Sequence, residues 1–217
     1  MTTTVERPWV QEMVVVHRIF RRESRNLAES VAACPAGDTA RAALLTGLAR
    51  DYVEGLHHHH TGEDDLLWPK LLARVDLDAE TVLRMEQQHH VVAEGLEDVG
   101  RCLAAWERGA GEAERAALVE ALRRHREQLL VHLDDEERHI LPLVAEHITA
   151  AEWAELGERG LANTPKNKLL FLLGAMLEDA TPEETARFLG LLPLPARILW
   201  HTVGKRSYAK RMREVRV

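Results

Sequence analysis

The residues of this chain that could do chemistry are imidazoles and carboxylates at helical spacing. His57-His58-His59-His60 runs into Thr61-Gly62-Glu63-Asp64-Asp65, and a proline follows at Pro69. On a helix, His59 and Glu63 stand four residues apart and share one face. A ring nitrogen and a carboxylate so placed can hold one metal ion, and a carboxylate can also bridge two. Taken alone, the stretch reads equally well as a solvated His/acid face. The pattern recurs, however, as His132-x-x-x-Glu136, with Pro142 six residues after its glutamate as Pro69 is after Glu63. Two such pairs, each followed by proline at the same offset, predict two half-sites of one centre with approximate two-fold internal symmetry.

The elements that must position these residues are helices. Ala, Leu, Glu and Arg dominate, all good helix formers, and strand signals are almost absent. A first helix over residues 8–33 has the inward stripe Val10, Met13, His17, Phe20, Ser24, Leu27 and Val31. Arg18, Arg21, Arg22 and Arg25 lie off it and read as a solvated face. Cys34–Asp38 is a turn with Asp38 as a cap. A second helix over 39–69 presents Leu45, Leu48, Tyr52, Gly55, His59 and Leu66. Asp76-Leu77-Asp78 offers another turn and cap. A third helix over 79–108 carries Val82 or Met85, then His89, Val92, Leu96 and Val99. Gly109-Ala110-Gly111 breaks the pattern. A fourth helix over 112–146 carries Leu118, Leu122, His125, Leu129, His132, Glu136, His139 and Leu143.

Four long amphipathic segments with short connections make an all-α, up-down-up-down four-helix bundle the natural architecture, over residues 8–147. His17 on its own is most simply a hydrogen-bonded core histidine. A bundle interior holding His17, His59, Glu63, His89, His132 and Glu136 is costly unless those groups are satisfied together, and a metal does so economically. Four imidazoles and two carboxylates suit two ions with the carboxylates bridging. The set contains no thiolate, so zinc-finger and iron–sulfur readings fail. Non-haem iron fits it better than manganese or zinc.

Residues 148–217 form an extension of short helices. Thr149-x-x-Glu152 is a capping box. Thr164-Pro165 and Thr181-Pro182 each read as a cap followed by proline in the first turn, giving helices over 168–179, 182–192 and 195–213. The last is basic, with Arg197, Lys205, Arg206, Lys210, Arg211, Arg213 and Arg216 against Glu214. It is a solvated helix or a surface for a protein partner or an anionic layer.

The 217 residues carry a formal charge of −7, which disfavours a nucleic-acid binder. No apolar run is long enough to span a bilayer. The N-terminal residues have no signal-peptide layout, and two cysteines make no disulfide framework, so a cytoplasmic setting is the expectation. Neither a Ser/His/Asp or Cys/His set nor a Gly-rich phosphate loop is present, which ranks hydrolases and nucleotide binders low.

With His17, His59-x-x-x-Glu63…Pro69, His89 and His132-x-x-x-Glu136…Pro142, the chain resembles the hemerythrin-like (HHE cation-binding) domains. The resemblance covers residues 8–147. It implies an oxo- or hydroxo-bridged di-iron centre, with His17 and His59 on one iron, His89 and His132 on the other, and Glu63 and Glu136 bridging. It also implies that O2, NO or peroxide is bound, sensed or turned over there, so a carrier, a sensor and a peroxidase-, catalase- or oxidase-like enzyme all stay open. One departure matters: oxygen-carrying members place a second histidine four residues after the third-helix ligand, and here that residue is Ala93. That leaves an open or water-filled position or a substitute ligand, and the substitutes in reach by sequence are His60, His125, His139 and Glu94. Two other readings remain: a ferritin-like di-iron oxidase built on Glu86-x-x-His89 and Glu136-x-x-His139, and a regulatory protein whose metal state controls a partner.

Overall fold

The computed structural model describes residues 6–75 and 78–216. Four long helices make the bundle: α1 (Gln11–Ala32), α2 (Thr39–Leu66), α4 (Ala79–Glu107) and α5 (Glu112–His147), with a short α3 (Trp68–Leu72) between α2 and α4. α1 packs on α2 and α5, and α4 packs on α2 and α5, so consecutive long helices are neighbours and antiparallel as short connections require. Two loops meet at one end. Asp38 caps α2 by accepting the Arg41 amide at 3.0 Å, and Gly37, at φ +79°, donates its amide to the Ala110 carbonyl at 2.9 Å. The left-handed backbone at Gly37 is one that glycine adopts without steric cost. The expected turn at Asp76 and Leu77 lies outside the described residues, and Asp78 stands at the start of α4 without a side-chain cap.

The apolar interior falls into two clusters. The larger fills the looped end, with Leu27, Val31, Leu45, Leu56, Val99, Trp106, Leu118 and Leu129 among its members. The smaller fills the opposite end, from Met13, Leu67, Trp68, Leu71, Met85, Ile140 and Val144. Each long helix crosses from one cluster to the other. His17, His60, His89 and His132 sit where it crosses, so the polar residues form a belt between two apolar masses.

Most predicted stripes hold, and the departures have identifiable causes. In α2 the buried positions are Leu45, Ala49, Tyr52, Leu56, His60 and Glu63, whereas Gly55 is exposed and His59 lies at the flank. The predicted phase was thus one residue early beyond Tyr52. In α5 burial continues by fours from His132 through Glu136 to Ile140 and Val144, which leaves His139 exposed. A strict seven-residue repeat drifts against a helix of about 3.6 residues per turn. The two prolines also differ. Pro69 lies in the first turn of α3, after a break at Leu67, whereas Pro142 is inside α5, which runs on to His147.

The extension packs onto the bundle. α6 (Ala150–Asn163) starts with the predicted Thr149/Glu152 capping box and lies against α2. A Cβ on Gly62 would come within 3.0 Å of Leu156, so the glycine allows this close approach one residue before Glu63. Thr164 ends α6 instead of starting a helix, its hydroxyl bonded to the Gly160 carbonyl at 2.8 Å. α7 (Leu169–Glu178), α8 (Pro182–Leu191, with its Thr181/Glu184 capping box) and α9 (Leu194–Leu199) follow. A π turn, Trp200–Gly204, joins α9 to α10 (Lys205–Val215). Ala175, Trp200, Tyr208, Met212 and Val215 join the larger cluster.

Arg18 and Arg22 of α1 meet the extension, a correction to their reading as solvated, whereas Arg21 turns to Asp134 and Glu137 of α5 and Arg25 is exposed as expected. Arg22 is buried and bonds Asp179, Glu23 and the Ala175 carbonyl at 2.5, 2.7 and 2.9 Å. Arg18 grips both Glu184 oxygens at 2.8 and 3.1 Å. A charged helix face looks the same in sequence whether it meets water or a neighbouring carboxylate.

Candidate metal centre

The belt contains two groups of potential ligands. His17, His59, Glu63 and Glu136 each offer an atom within 4.8 Å of the others, and so do His60, His89 and His132. All six residues singled out by spacing are therefore together, with His60 added from the four alternatives to the missing imidazole. Ala93 is exposed on α4. Glu94 is exposed and pairs with His90 at 3.3 Å. His139 is exposed beside Asp135, 3.6 Å away. His125 is buried, but its Nε2 is 2.7 Å from the Tyr52 hydroxyl and it belongs to neither group. His57 and His58 point away from the belt, and His58 lies 3.9 Å from Glu54.

The two glutamates reach into both groups. Glu63 places Oε1 3.3 Å from His59 Nε2 and Oε2 3.5 Å from His89 Nε2. Glu136 Oε2 stands 3.3 Å from His17 Nε2 and 3.5 Å from His132 Nε2. Donor atoms about 2.1 Å from a shared ion lie roughly 3.0–3.4 Å apart at octahedral or tetrahedral angles, so these separations suit ligands of a common cation.

Hydrogen bonding makes the same point by omission. Of the buried side-chain atoms that have no hydrogen-bond partner among the described residues, nine lie in the belt: Nε2 of His17, His59, His60, His89 and His132, and both oxygens of Glu63 and Glu136. Each such atom in an apolar interior costs roughly 1–3 kcal/mol, and a cation is what satisfies nine electron-pair donors together. The opposite ring nitrogens are held. His17 Nδ1 meets Glu137 at 2.8 Å, His89 Nδ1 meets Asp64 at 2.7 Å, and His132 Nδ1 meets Gln88 at 3.3 Å. With Nδ1 donating its proton to a side-chain oxygen, Nε2 keeps a free lone pair aimed inward. Arg21 in turn fixes Glu137 at 2.5 Å and Asp134 at 2.6 Å.

The electrostatics favour neutral, ligand-ready rings at His59, His60 and His132. Burial holds His59 and His60 well below the usual imidazole range, and His132 down to about 4. Burial pushes Glu63 well above the carboxylate range, and the neighbouring Glu136 adds to it. For Glu136 burial acts the same way, but His17 and then His132 outweigh it and hold it low. His17 is raised because Glu136 and Glu137 overcome its burial.

Aromatic rings wall the belt. Phe20 tilts over His59 with centroids 5.1 Å apart, and Trp68, fully buried, tilts over His89 at 5.5 Å. Glu86, the carboxylate a ferritin-like reading needs on α4, is exposed, as is His139, the ring it needs on α5. Sequence reasoning missed the orienting residues Asp64, Gln88 and Glu137. The signal available was their position beside a candidate ligand on the same helix, a weak one where polar residues are so common along each helix.

Residues 10–144 match the family model described as Hemerythrin HHE cation binding domain. No curated protein and no solved structure matches the chain.

Proposed function

Because the chain belongs to the hemerythrin HHE cation-binding family, we propose that its belt holds two irons and serves O2, NO or peroxide. Glu63 and Glu136, each facing imidazoles of both groups, carry this reading. His60, His89 and His132 would hold one ion and His17 and His59 the other, with Glu63 and Glu136 shared between them. His60 takes the place of the imidazole that Ala93 does not supply.

Iron so held supplies a redox-active centre with an open coordination position for a small ligand. The chain sets where that position falls. His17 and His59 would hold their ion with two imidazoles against three from His60, His89 and His132, so a small ligand would be accommodated on the His17/His59 side. Phe20 covers His59 there and limits water. Glu137, Asp64 and Gln88 hold the ring tautomers, so that the ligand rings need not rotate or shed a proton when the ion changes charge.

Metal analysis with an optical spectrum of the purified protein tests this. Two irons per chain, with near-ultraviolet bands of a bridged pair, are expected. Full iron retained in both Glu63→Ala and His132→Ala would overturn the assignment. Stopped-flow mixing with O2, NO and peroxide then separates carrier, sensor and enzyme.

A further inference from the structure

The stretch from Thr185 to Arg213 contains no aspartate or glutamate, although the chain has 35 of them and a net charge of −7. It contains Arg187, Arg197, Lys205, Arg206, Lys210, Arg211 and Arg213. Positive charge is thus gathered in one part of an acidic protein, and a helix-to-helix balance of charge within the fold does not explain it. Arg187 lies over the Trp9 ring, and Lys210 and Arg211 reach Glu214 at 3.8 and 3.9 Å. Arg197, Lys205 and Arg206 have no carboxylate partner among the described residues, and Lys205 and Arg206 are exposed.

The same stretch leaves aliphatic side chains in water. Nine large hydrophobics stand out as exposed, and five of them fall within thirteen consecutive residues: Leu191 (73%), Leu194 (63%), Ile198 (54%), Leu199 and Val203 (53%). Single exposed hydrophobics are ordinary on any surface, but a concentration of this kind marks an interaction site. These are not core residues of the fold turned outward. Trp200, Tyr208, Met212 and Val215 of the same helical run already face the bundle and are buried. The run therefore has two apolar faces, one used and one open, and the open one is bordered by unpaired cations.

We propose that the segment from Leu191 to Arg206 docks the protein on an anionic lipid surface. The aliphatic side chains of α9 and the π turn enter the outer part of the layer, and Arg197, Lys205 and Arg206 meet lipid phosphates. Charge complementarity selects this occupant. The face offers cations with no anion among them, and the inserted groups are purely aliphatic and ask for no directional hydrogen bonds. An interfacial helix uses this combination of shallow apolar insertion and basic residues. Among the described residues no helix is long and apolar enough to cross a membrane, and the contact proposed is a peripheral one. It also orients the molecule, because the acidic remainder is repelled by the same surface. The inference does not depend on the metal reading.

Flotation of the full-length, metal-loaded chain with lipid vesicles tests it. The protein should float with vesicles of equal parts phosphatidylcholine and phosphatidylglycerol, and not with phosphatidylcholine alone. High salt should release it. Ile198→Ser with Val203→Ser, and separately Lys205→Glu with Arg206→Glu, should each weaken binding by about tenfold or more. All four residues are exposed, so iron content and helical circular dichroism should not change. A protein that stays in the aqueous layer with both vesicle types overturns the proposal. So does flotation that neither double variant weakens. Self-association that depends on Ile198, without flotation, overturns it in favour of a second copy on this face.

Discussion

Helices α2 and α5 carry the same His-x-x-x-Glu pattern and use it differently. From α5 the belt takes His132 and Glu136. From α2 it takes His59 and Glu63 and also His60, which stacks on His89 with ring centroids 4.1 Å apart. Neighbouring residues on a helix point about 100° apart, so two adjacent histidines can both reach the belt only if it straddles the boundary of the buried face. That is the case in α2, where His60 lies inside the face and His59 at its flank. Helix α5 meets the belt more squarely and lends one ring. The internal repeat is therefore a repeat of carboxylates, and the imidazoles of the belt are shared out unequally, two from α2 and one each from α1, α4 and α5.

The largest test of this comparison is removal of a carboxylate. Glu63→Ala should empty both groups, taking iron from two per chain to near none by elemental analysis. Because a ligand that binds only the folded state stabilises it, the thermal midpoint should fall by roughly 10 °C, for about 4 kcal/mol of lost linkage. A variant that keeps one tightly held iron would show that the glutamate belongs to one group only. Next is His60→Ala, which should release one iron and keep the other. Adding Ala93→His should not restore it, since residue 93 is turned to the surface. Restoration would mean that α4 can rotate to play the part assigned to α2.

A smaller effect separates the docking arginines from the belt. Arg22→Ala should cost about 2 kcal/mol in denaturant unfolding, by leaving Glu178 and Asp179 without their buried cation. Iron content should remain complete. The smallest expected effect concerns His125, a buried histidine of α5 outside both groups. Burial holds it down to about 4, against an ordinary 6.5. Its folded state therefore resists the proton that the unfolded chain accepts, and stability is lost as pH falls from 6.5 towards 4. Between pH 7 and 5.5 that amounts to about 1 kcal/mol. In His125→Gln, which can still accept from the Tyr52 hydroxyl, the acid slope should be shallower by that amount. An unchanged slope would show that His125 takes up its proton as readily in the fold as in the unfolded chain.

Much of this arrangement was legible in the sequence because helical period and ligand spacing share one geometry. The buried stripes of α1 and α4, the two capping boxes of the extension and the meeting of the six His and Glu side chains in the belt all follow from positions three or four residues apart. What was not legible depends on which neighbour a helix meets. Choosing His60 from four candidates needed the true phase of α2, and a one-residue error in that phase exchanges His59 for His60 as the inward ring. His139 was misplaced by extending a seven-residue repeat through two further turns. Arg22 was misread because two of the carboxylates it meets, Glu178 and Asp179, lie more than 150 residues away in sequence. Pro142 was matched with Pro69 by offset, yet one sits within a helix and the other begins a new one.

The two apolar clusters on either side of the belt have a consequence for the life of the protein in a cell. Without its cation, the chain is two short greasy plugs separated by a ring of thirsty polar atoms, and thermal opening will start at that ring. Proteases cut chains in their open moments, at a frequency that follows the open population. The half-life of the protein would then track the metal supply, and its abundance would record how much metal the cell has to spare.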